Sequence, residues 1–325
     1  MTCKTHNAAM IRLKSDTLEA WVHPTGATLV GLWLRGRPRS LVLGFAGASG
    51  YARIPIYAGA IVGPVANRIA KGQLTIGNDP WQMQTNDGPH ALHSADQGLH
   101  ARHWTIRSKS RHQVTLTCDL PDGDAGLPGN RVIEARYILQ DEGGLDVHMS
   151  AISDRDTVMN LAHHPYWNLD GRETVSRHTL QIHANQYLPT DAEMIPTGQI
   201  ADVAHTDYDF RQFTTIPVDR TLDANLCLAR ARRVTPALAA ELVGSTGVHL
   251  TIETTEPGLQ VYNGSGLPDI RVPMHPGQRL GPCAGIALEP QSWPDAPNNP
   301  EFPSISLPGG QMYRQHTRYR VFAAT

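Results

Sequence analysis

One carboxylate and one histidine could act together as a proton-transfer pair. Glu289 follows a run of small and apolar residues, Cys283–Leu288, and a proline-rich loop comes directly after it. If the run is a strand, its side chains alternate between two faces, and Glu289 lies on the face of small residues, beside space for a ligand. His164 has a similar setting in Asn160–Leu169, where a strand would place Tyr166 on the same face. A carboxylate and an imidazole suit general acid and base catalysis.

Other polar residues could bind a hydroxylated ligand. Asn67 and Arg68 follow a turn, and their side chains donate hydrogen bonds well to hydroxyl groups. Asp223 and Asn225 form a polar pair before an apolar run. The histidine-rich stretch 90–103 contains no compact metal motif, so we expect no metal site. Each group alone also fits a structural role, in a solvated turn or in a core, but together with a stacking aromatic residue they suit a sugar.

The motifs that the sequence lacks and its small net charge make several classes of function poor candidates. The sequence has no Gly-x-Ser-x-Gly elbow, P-loop or dinucleotide fingerprint. Serine hydrolase, nucleotide triphosphatase and nicotinamide chemistry are therefore disfavoured, and we expect no organic cofactor. The formal net charge of −2 indicates neither a nucleic acid nor an anionic membrane surface as a partner.

Cysteine use and hydropathy bear on the compartment. Cys3, Cys118, Cys227 and Cys283 are scattered, with no Cys-x-x-Cys motif. The N-terminus lacks the apolar region of a secretory signal, and no stretch approaches the ~20 apolar residues of a membrane span. We expect a cytoplasmic protein, although the even number of cysteines leaves a secreted, disulfide-bonded form open.

Short segments in which hydrophobic and polar residues alternate are predicted to be the strands that position these residues. The clearest pair is Arg131–Leu139 and Leu145–Ile152, which flank the glycine turn 141–144 and predict a hairpin. Helical patterning is scarce, and only Pro236–Val243 could form a couple of helical turns or a loop. Many short strands in turn-rich sequence predict an all-β protein, a large antiparallel sandwich or barrel. Without a repeat or linker, we expect one domain over residues 1–325.

The chain resembles the aldose 1-epimerase (galactose mutarotase) family along nearly its whole length. Each motif is weak alone, but nine occur in order. They are Ala-Asn-Arg-Ile (66–69), Leu-His (92–93), Asn-Leu-x-x-His-x-Tyr-Trp-Asn-Leu (160–169), Tyr-Leu-Pro-Thr-Asp (187–191), Ile-Pro-Thr-Gly (195–198), Asp-Phe-Arg (209–211), Thr-Thr-x-Pro-Gly-Leu-Gln-Val-Tyr (254–262), Leu-Glu-x-Gln-x-Trp-Pro-Asp-x-Pro-Asn (288–298) and Phe-Pro-Ser (302–304).

The resemblance implies a galactose-mutarotase-like β-supersandwich of antiparallel sheets with an open sugar cleft. It implies that Glu289 is the general base and His164 the general acid in a ring opening that needs no metal or cofactor. We expect two aromatic residues to join the site: Tyr166 from the face of His164, and Trp293 from the loop after Glu289, which would form one wall of the cleft. The residues that would bind the sugar by resemblance are His93, Arg68, Asn67, Asp223 and Gln291.

Departures from the family pattern leave the sugar open. Pro64-Val65 replaces Gly-Arg, His93-Ser-Ala replaces His-Gly-Gly, and Asp223-Ala-Asn225 replaces Asp-His-Asn. Besides a mutarotase of a free aldose, the alternatives are a mutarotase of a phosphorylated or sulfonated sugar and a non-catalytic carbohydrate-binding protein. An anionic sugar would need a further cationic group, for which the candidates are Arg102, Arg211 and Arg271. A monomer and a homodimer both remain open.

Overall fold

The protein is seen in a computed structural model that describes residues 10–323, so Cys3 and the N-terminal stretch considered for a signal lie outside the described residues. Strands dominate this part of the chain, as predicted. In chain order they are β1 (Ile11–Lys14), β2 (Leu18–His23), β3 (Thr28–Leu34), β4 (Ile61–Val62), β5 (Arg68–Ile69), β6 (Gln73–Ile76), β7 (Asp79–Gln82), β8 (Ala91–Leu92), β9 (Thr105–Lys109), β10 (Gln113–Leu120), β11 (Arg131–Leu139), β12 (Gly144–Ser153), β13 (Thr157–Val158), β14 (Ala162–His163), β15 (Tyr166–Trp167), β16 (Thr179–Ile182), β17 (Gln186–Tyr187), β18 (Ala201–Asp202), β19 (Thr214–Thr215), β20 (Asp223–Cys227), β21 (Ala237–Val243), β22 (Val248–Thr254), β23 (Gly258–Tyr262), β24 (Ile286–Gln291), β25 (Ser306–Leu307) and β26 (Met312–Ala323).

Helical structure is confined to short pieces. The one α-helix among the described residues is α1 (Ala48–Arg53). The single-turn 3₁₀ segments are Ala70–Gly72, Ala95–Gln97, Leu99–Ala101, Asp124–Gly126 and Ala296–Asn298. None of the helices within residues 10–323 is long and apolar enough to cross a membrane.

The three largest sheets form most of the fold. The largest has nine strands in the order β19-β16-β21-β22-β26-β12-β11-β10-β9, the second has six in the order β15-β24-β23-β20-β17-β18, and the third is β1-β2-β3. The ladders within these sheets are antiparallel throughout. The expected all-β, antiparallel fold class is confirmed.

The predicted hairpin is confirmed in the nine-stranded sheet. The β11–β12 ladder runs from Arg131 opposite Ser153 to Leu139 opposite Leu145. Gly143, in the connecting turn, has φ of 82°, a left-handed conformation that glycine adopts without steric cost.

The helical or loop conformation expected for residues 236–243 is wrong. Ala237–Val243 is strand β21, which pairs with β16 on one side and β22 on the other. Its small and apolar residues fit both the helical repeat and the two-residue repeat of a strand, so local propensity does not decide the conformation. Ladders on both sides satisfy backbone groups that a buried short helix would leave unpaired.

One continuous apolar core joins the three sheets. Ile286 and Leu288 of β24 point into it, as predicted, where the same cluster holds Val147 and Tyr319 from the nine-stranded sheet and Leu13 from β1. Burying such side chains stabilises the fold by roughly 1.5–3 kcal/mol each, which forces the alternate residues of β24 onto the opposite face. This continuity supports our proposal that residues 1–325 form a single domain.

Candidate active site

An open cleft of about 420 Å³ lies on the face of the six-stranded sheet that is turned away from this core. Its lining is mostly polar and aromatic and comes from distant parts of the chain. The lining residues are Tyr57, Asn67, Arg68, Leu92, His93, His164, Tyr166, Met194, Thr221, Asp223, Gln260, Tyr262, Ser265, Gly266 and Glu289.

Glu289 and His164 meet at the base of the cleft. The His164 Nε2 and Glu289 Oε1 atoms are 3.4 Å apart, and the residues are 4 % and 2 % exposed. Glu289 is held within β24, opposite Gln260 of β23. This contact gives the site a proton donor and a proton acceptor in direct reach of each other.

The strand expected through Asn160–Leu169 is interrupted at the histidine. β14 ends at His163 and β15 begins at Tyr166, because Pro165 has no N–H to donate to a ladder. The predicted alternation of faces still holds. His164 and Tyr166 line the cleft, whereas His163 points into the core, where its Nδ1 lies 3.3 Å from the Tyr319 hydroxyl.

Burial shifts the protonation of the pair in opposite directions. It raises the pKa of the Glu289 carboxyl well above 4.5, with a further contribution from the Asp223 charge. It lowers the pKa of His164 to about 4. Both shifts disfavour the charged forms, so the Glu289 carboxyl keeps its proton to a higher pH than usual and the His164 imidazole stays neutral to a lower pH. One acid and one base are therefore available together.

Arg68 is the cation of the cleft and lies between two carboxylates. Its Nε donates to Asp87 Oδ2 at 2.7 Å, and its Nη1 lies 3.8 Å from Asp223 Oδ2. Gln260 Nε2 donates to the other oxygen of Asp223 at 2.6 Å. These contacts fix the guanidinium and leave this part of the cleft with more negative than positive charge.

His93 is set as a hydrogen-bond donor towards the cleft. Its Nδ1 accepts a hydrogen bond from the Asn67 N–H at 3.1 Å. Burial lowers the pKa of His93 well below 6.5, so the ring is neutral and its proton is on Nε2. Ring nitrogens of His93 and His164 and a Glu289 oxygen lie within 4.8 Å of one another, a spacing that could hold a metal ion. While Nδ1 accepts from Asn67, however, Nε2 of His93 has no lone pair for a metal.

Four of the lining residues have left-handed backbone conformations. The φ angles are 59° for Tyr57, 64° for Asn67, 53° for His93 and 63° for Met194. Such conformations are unfavourable for residues with a Cβ and persist where surrounding contacts enforce them, commonly at ligand sites. Here Ser94 supplies such contacts, since its hydroxyl accepts from Val65 N at 3.0 Å and donates to Val65 O at 3.2 Å.

Two of the residues expected to bind the sugar do not border the cleft. Gln291 is fully buried beside Gly258 in the β23–β24 ladder. Trp293 is 1 % exposed and belongs to an apolar cluster with Phe302, and its indole N–H donates to Pro257 O at 2.9 Å. The expectation that the loop after Glu289 forms a cleft wall with Trp293 is therefore wrong, because that side chain is needed in the core.

The other expected residues are brought together, and the structure adds more. Asn67, Arg68, His93, Tyr166 and Asp223 all line the cleft. Residues that were not predicted from the sequence include Gln260 and Tyr57 in the lining and Asp87, which holds Arg68. Period two places Gln260 on the face of Tyr262, which was a usable signal. Asp87 and Tyr57 lie in loops, where no periodic pattern could reveal them.

The cationic candidates for an anionic sugar lie elsewhere. Arg102 pairs with Asp124 at 2.6 Å, and Arg211 pairs with Asp209 at 2.8 Å. Arg271 is exposed, and none of the three is among the described residues that line the cleft.

The relatives found by comparison with known proteins agree with one another. A sequence model of the family described as aldose 1-epimerase matches residues 9–320. Galactose mutarotase from Bos taurus is 36 % identical over 96 % of this chain and 93 % of its own length. Aldose 1-epimerase from Escherichia coli is 31 % identical over 98 % and 94 %. The crystal structure of a GalM/aldose epimerase homologue from C. elegans superposes with a TM-score of 0.91 at 30 % identity, covering 98 % of this chain and all of that one.

Proposed function

This chain belongs to the aldose 1-epimerase family, and from this premise we propose that it is an isomerase. The reaction proposed is the interconversion of the α and β anomers of a free aldose. The observation that carries the proposal is the buried contact between Glu289 and His164 at the base of a polar cleft. A protein that only bound carbohydrate would not need an acid and a base in contact. The non-catalytic alternative is therefore disfavoured.

The reaction proposed needs one proton donor and one acceptor at each stage. In the reactive form the Glu289 carboxyl is ionised and the His164 imidazole is protonated, with the two groups 3.4 Å apart. Glu289 takes the proton from the anomeric hydroxyl O1, and His164 gives its proton to the ring oxygen O5. The C1–O5 bond opens to the aldehyde, rotation about C1–C2 presents the other carbonyl face, and closure with reversed roles forms the other anomer.

The remaining polar residues would bind and orient the sugar. Arg68, His93 and Asn67 present hydrogen-bond donors, and Asp223 and Gln260 present acceptors. All lie on the cleft surface around the catalytic pair, which supports their role as ligands of the sugar hydroxyls. Tyr166 adds an aromatic surface beside His164.

The first experiment removes each member of the pair. Glu289→Gln and His164→Asn should each lower the rate of anomer exchange by about 10²–10⁴-fold, the usual contribution of a positioned acid or base. Exchange NMR on galactose and glucose measures this rate directly. Glu134→Gln, on the nine-stranded sheet, is the matched control and should keep the full rate. Folded variants with normal exchange would refute the assignment.

The charge of the cleft favours neutral sugars over anionic ones. Arg68 is already paired with Asp87, and the cleft also holds the Asp223 carboxyl. We expect exchange of glucose to exceed that of glucose 6-phosphate at least tenfold in kcat/KM, measured by NMR at equal concentrations. Faster exchange of the phosphorylated sugar would favour the modified-sugar alternative instead. Because several relatives are called galactose mutarotase, galactose is the first sugar to test.

The cellular setting is also a proposal. The three described cysteines, Cys118, Cys227 and Cys283, are free, which supports a reducing cytoplasm. We propose a small-molecule sugar as the only required partner, with no nucleic acid or membrane. Either a monomer or a homodimer fits, and light scattering of the purified protein distinguishes them.

A further inference from the structure

A strip of buried polar side chains runs from the floor of the cleft into the protein beneath it. It consists of Asn225, Gln260, Glu289 and Gln291, which are 2 %, 5 %, 2 % and 0 % exposed. The ladders place Glu289 opposite Gln260, and Gln260 opposite Asn225. Gln291 is two residues after Glu289 on the same face of β24. The four groups therefore form one layer behind the catalytic carboxylate.

Most polar atoms of this strip have no hydrogen-bond partner within the described protein. The unpaired atoms are both amide atoms of Asn225, both amide atoms of Gln291, Gln260 Oε1 and Glu289 Oε2. A buried polar atom left unpaired costs roughly 1–3 kcal/mol. Six such costs would be comparable with the whole stability of a domain, about 5–15 kcal/mol. Polar molecules bound in the strip would remove this cost.

Comparable amides elsewhere in the core are fully paired, so the strip is an exception. Gln315 donates to Pro290 O at 2.9 Å and accepts from the Tyr313 hydroxyl at 2.8 Å. Asn160 donates to Ser292 O at 3.4 Å and accepts from Ser292 N at 2.8 Å. A structural role for a buried amide in this protein thus comes with protein partners.

The local backbone keeps room beside Gln291 for the Asn225 amide. Gly258 is opposite Gln291, and a Cβ added at Gly258 would lie 2.5 Å from Asn225 Oδ1. The same Cβ would lie 3.0 Å from Trp293 Cδ1. The Asn225 amide therefore occupies the space that any larger residue at 258, opposite Gln291, would fill.

A cavity of about 10 Å³ adjoins the strip and fits one water molecule. Its polar lining includes Asn225, Gln260, Asn67 and Thr190, enough to give a water several hydrogen bonds. It shares Asn67, Gln260 and Asp223 with the sugar cleft. Of the unpaired amides, those of Asn225 and Gln260 therefore border a water-sized space connected with the site.

We infer that Asn225 and Gln291 are positioning residues that bind ordered water beneath the cleft and through it hold the Glu289 carboxylate by its second oxygen. The inference rests on the proposed function, because it assigns these residues to Glu289 as a base. Donors at the carboxylate favour its ionised form and so oppose the effect of burial. Gln291 would therefore act on catalysis without touching the sugar.

The test compares isosteric variants. Gln291→Met and Asn225→Leu should lower kcat by about 10- to 100-fold, the value of a hydrogen bond to a charged group, while KM changes less than threefold. The acid limb of the kcat profile should move to higher pH, since a carboxylate that loses donors ionises less readily. Gln291→Asn, which keeps an amide and leaves room for water, should recover most of the rate. Other titratable or charged groups facing the base are His93, His164, Arg68, Asp223, Tyr166 and Tyr319.

The control is Gln315→Met. Gln315 belongs to β26, and its paired amide contacts Pro290 of β24 from the core. The substitution should lower Tm but leave the acid limb in place. Unchanged kcat and pH profile in folded Gln291→Met would overturn the inference. A high-resolution crystal structure of the unmodified protein without ordered water on the Asn225 and Gln291 amides would overturn it too, even if the variants do not fold. If the unmodified protein shows no exchange, the proposed function itself has failed.

Discussion

At the scale of the residue, the site contains two ionisable side chains whose charged forms are destabilised by burial. Glu289 and His164 are both almost inaccessible, and their pKa values are displaced towards the neutral forms. The period-two pattern in the sequence predicts the faces of both residues, because a strand has only two. It does not predict their register, and so it does not show that Gln260 lies opposite Glu289.

The raised pKa of Glu289 predicts a gain in stability when the carboxyl is replaced. Above pH 4.5 the unfolded chain releases this proton more readily than the folded protein, so the contribution of Glu289 to stability falls as pH rises. Glu289→Gln has no such loss. Its Tm should exceed that of the unmodified protein at pH 8 by more than at pH 5, as calorimetry would show. An equal difference at both values would contradict the shift.

The contact between Asp87 and Arg68 predicts a binding defect. Asp87→Asn weakens the hold on the Arg68 Nε, which then loses its fixed orientation. We expect KM for the sugar to rise about tenfold while kcat changes little, because Asp87 does not touch the catalytic pair. Asp209→Asn, which frees Arg211 far from the cleft, is the matched control. A fall in kcat at constant KM would argue against this role.

At the scale of the element, loops rather than strands give the site its shape. Tyr57, Asn67 and His93 reach the cleft from left-handed positions that no hydrophobic period reveals. The long strands were predictable, because β11 and β12 alternate clearly and meet at a glycine turn. Segment 237–243 was not, since ladders on both sides determine its conformation. Trp293 was misassigned because sequence does not tell a stacking tryptophan from one whose indole is bonded in the core.

The turn at His93–Ala95 predicts how its stability depends on Ser94. Three successive residues there have φ of 53°, 63° and 51°. Ser94→Ala keeps this strain and leaves both Val65 backbone groups unpaired, so we expect a loss of about 1–3 kcal/mol in the free energy of unfolding. Ser94→Gly loses the same hydrogen bonds but relieves strain of about 1–2 kcal/mol. Urea titrations should rank the glycine variant above the alanine variant, and the reverse order would contradict the strain.

At the scale of the whole molecule, histidine burial is a general feature. Within residues 10–323, burial lowers the pKa of eight histidines, with values of about 4 for His100, His148 and His164. The others are His23, His93, His163, His178 and His275. These eight histidines are therefore neutral at physiological pH in the folded protein.

This burial predicts steep acid sensitivity. Below pH 6.5 the unfolded chain takes up protons that the folded protein does not, and each such histidine removes about 1.4 kcal/mol per pH unit. Four carboxyls with raised pKa values act in the opposite direction, namely Asp223, Glu256, Glu289 and Asp295. The histidines outnumber them, so the urea midpoint should fall markedly from pH 7 to pH 5. A constant midpoint would show that the histidines are protonated in the folded state.

The position of β26 has a consequence for synthesis on the ribosome. Met312–Ala323 lies between β12 and β22 in the nine-stranded sheet, although β12 ends at Ser153. At a translation rate of ~5–20 residues per second, the β9–β12 half of the sheet waits on the order of ten seconds for its central neighbour. During that interval β12 presents an unpaired edge to other nascent chains and to chaperones. The catalytic strand β24 is made shortly before β26, so the active site and the sheet behind it are completed almost together.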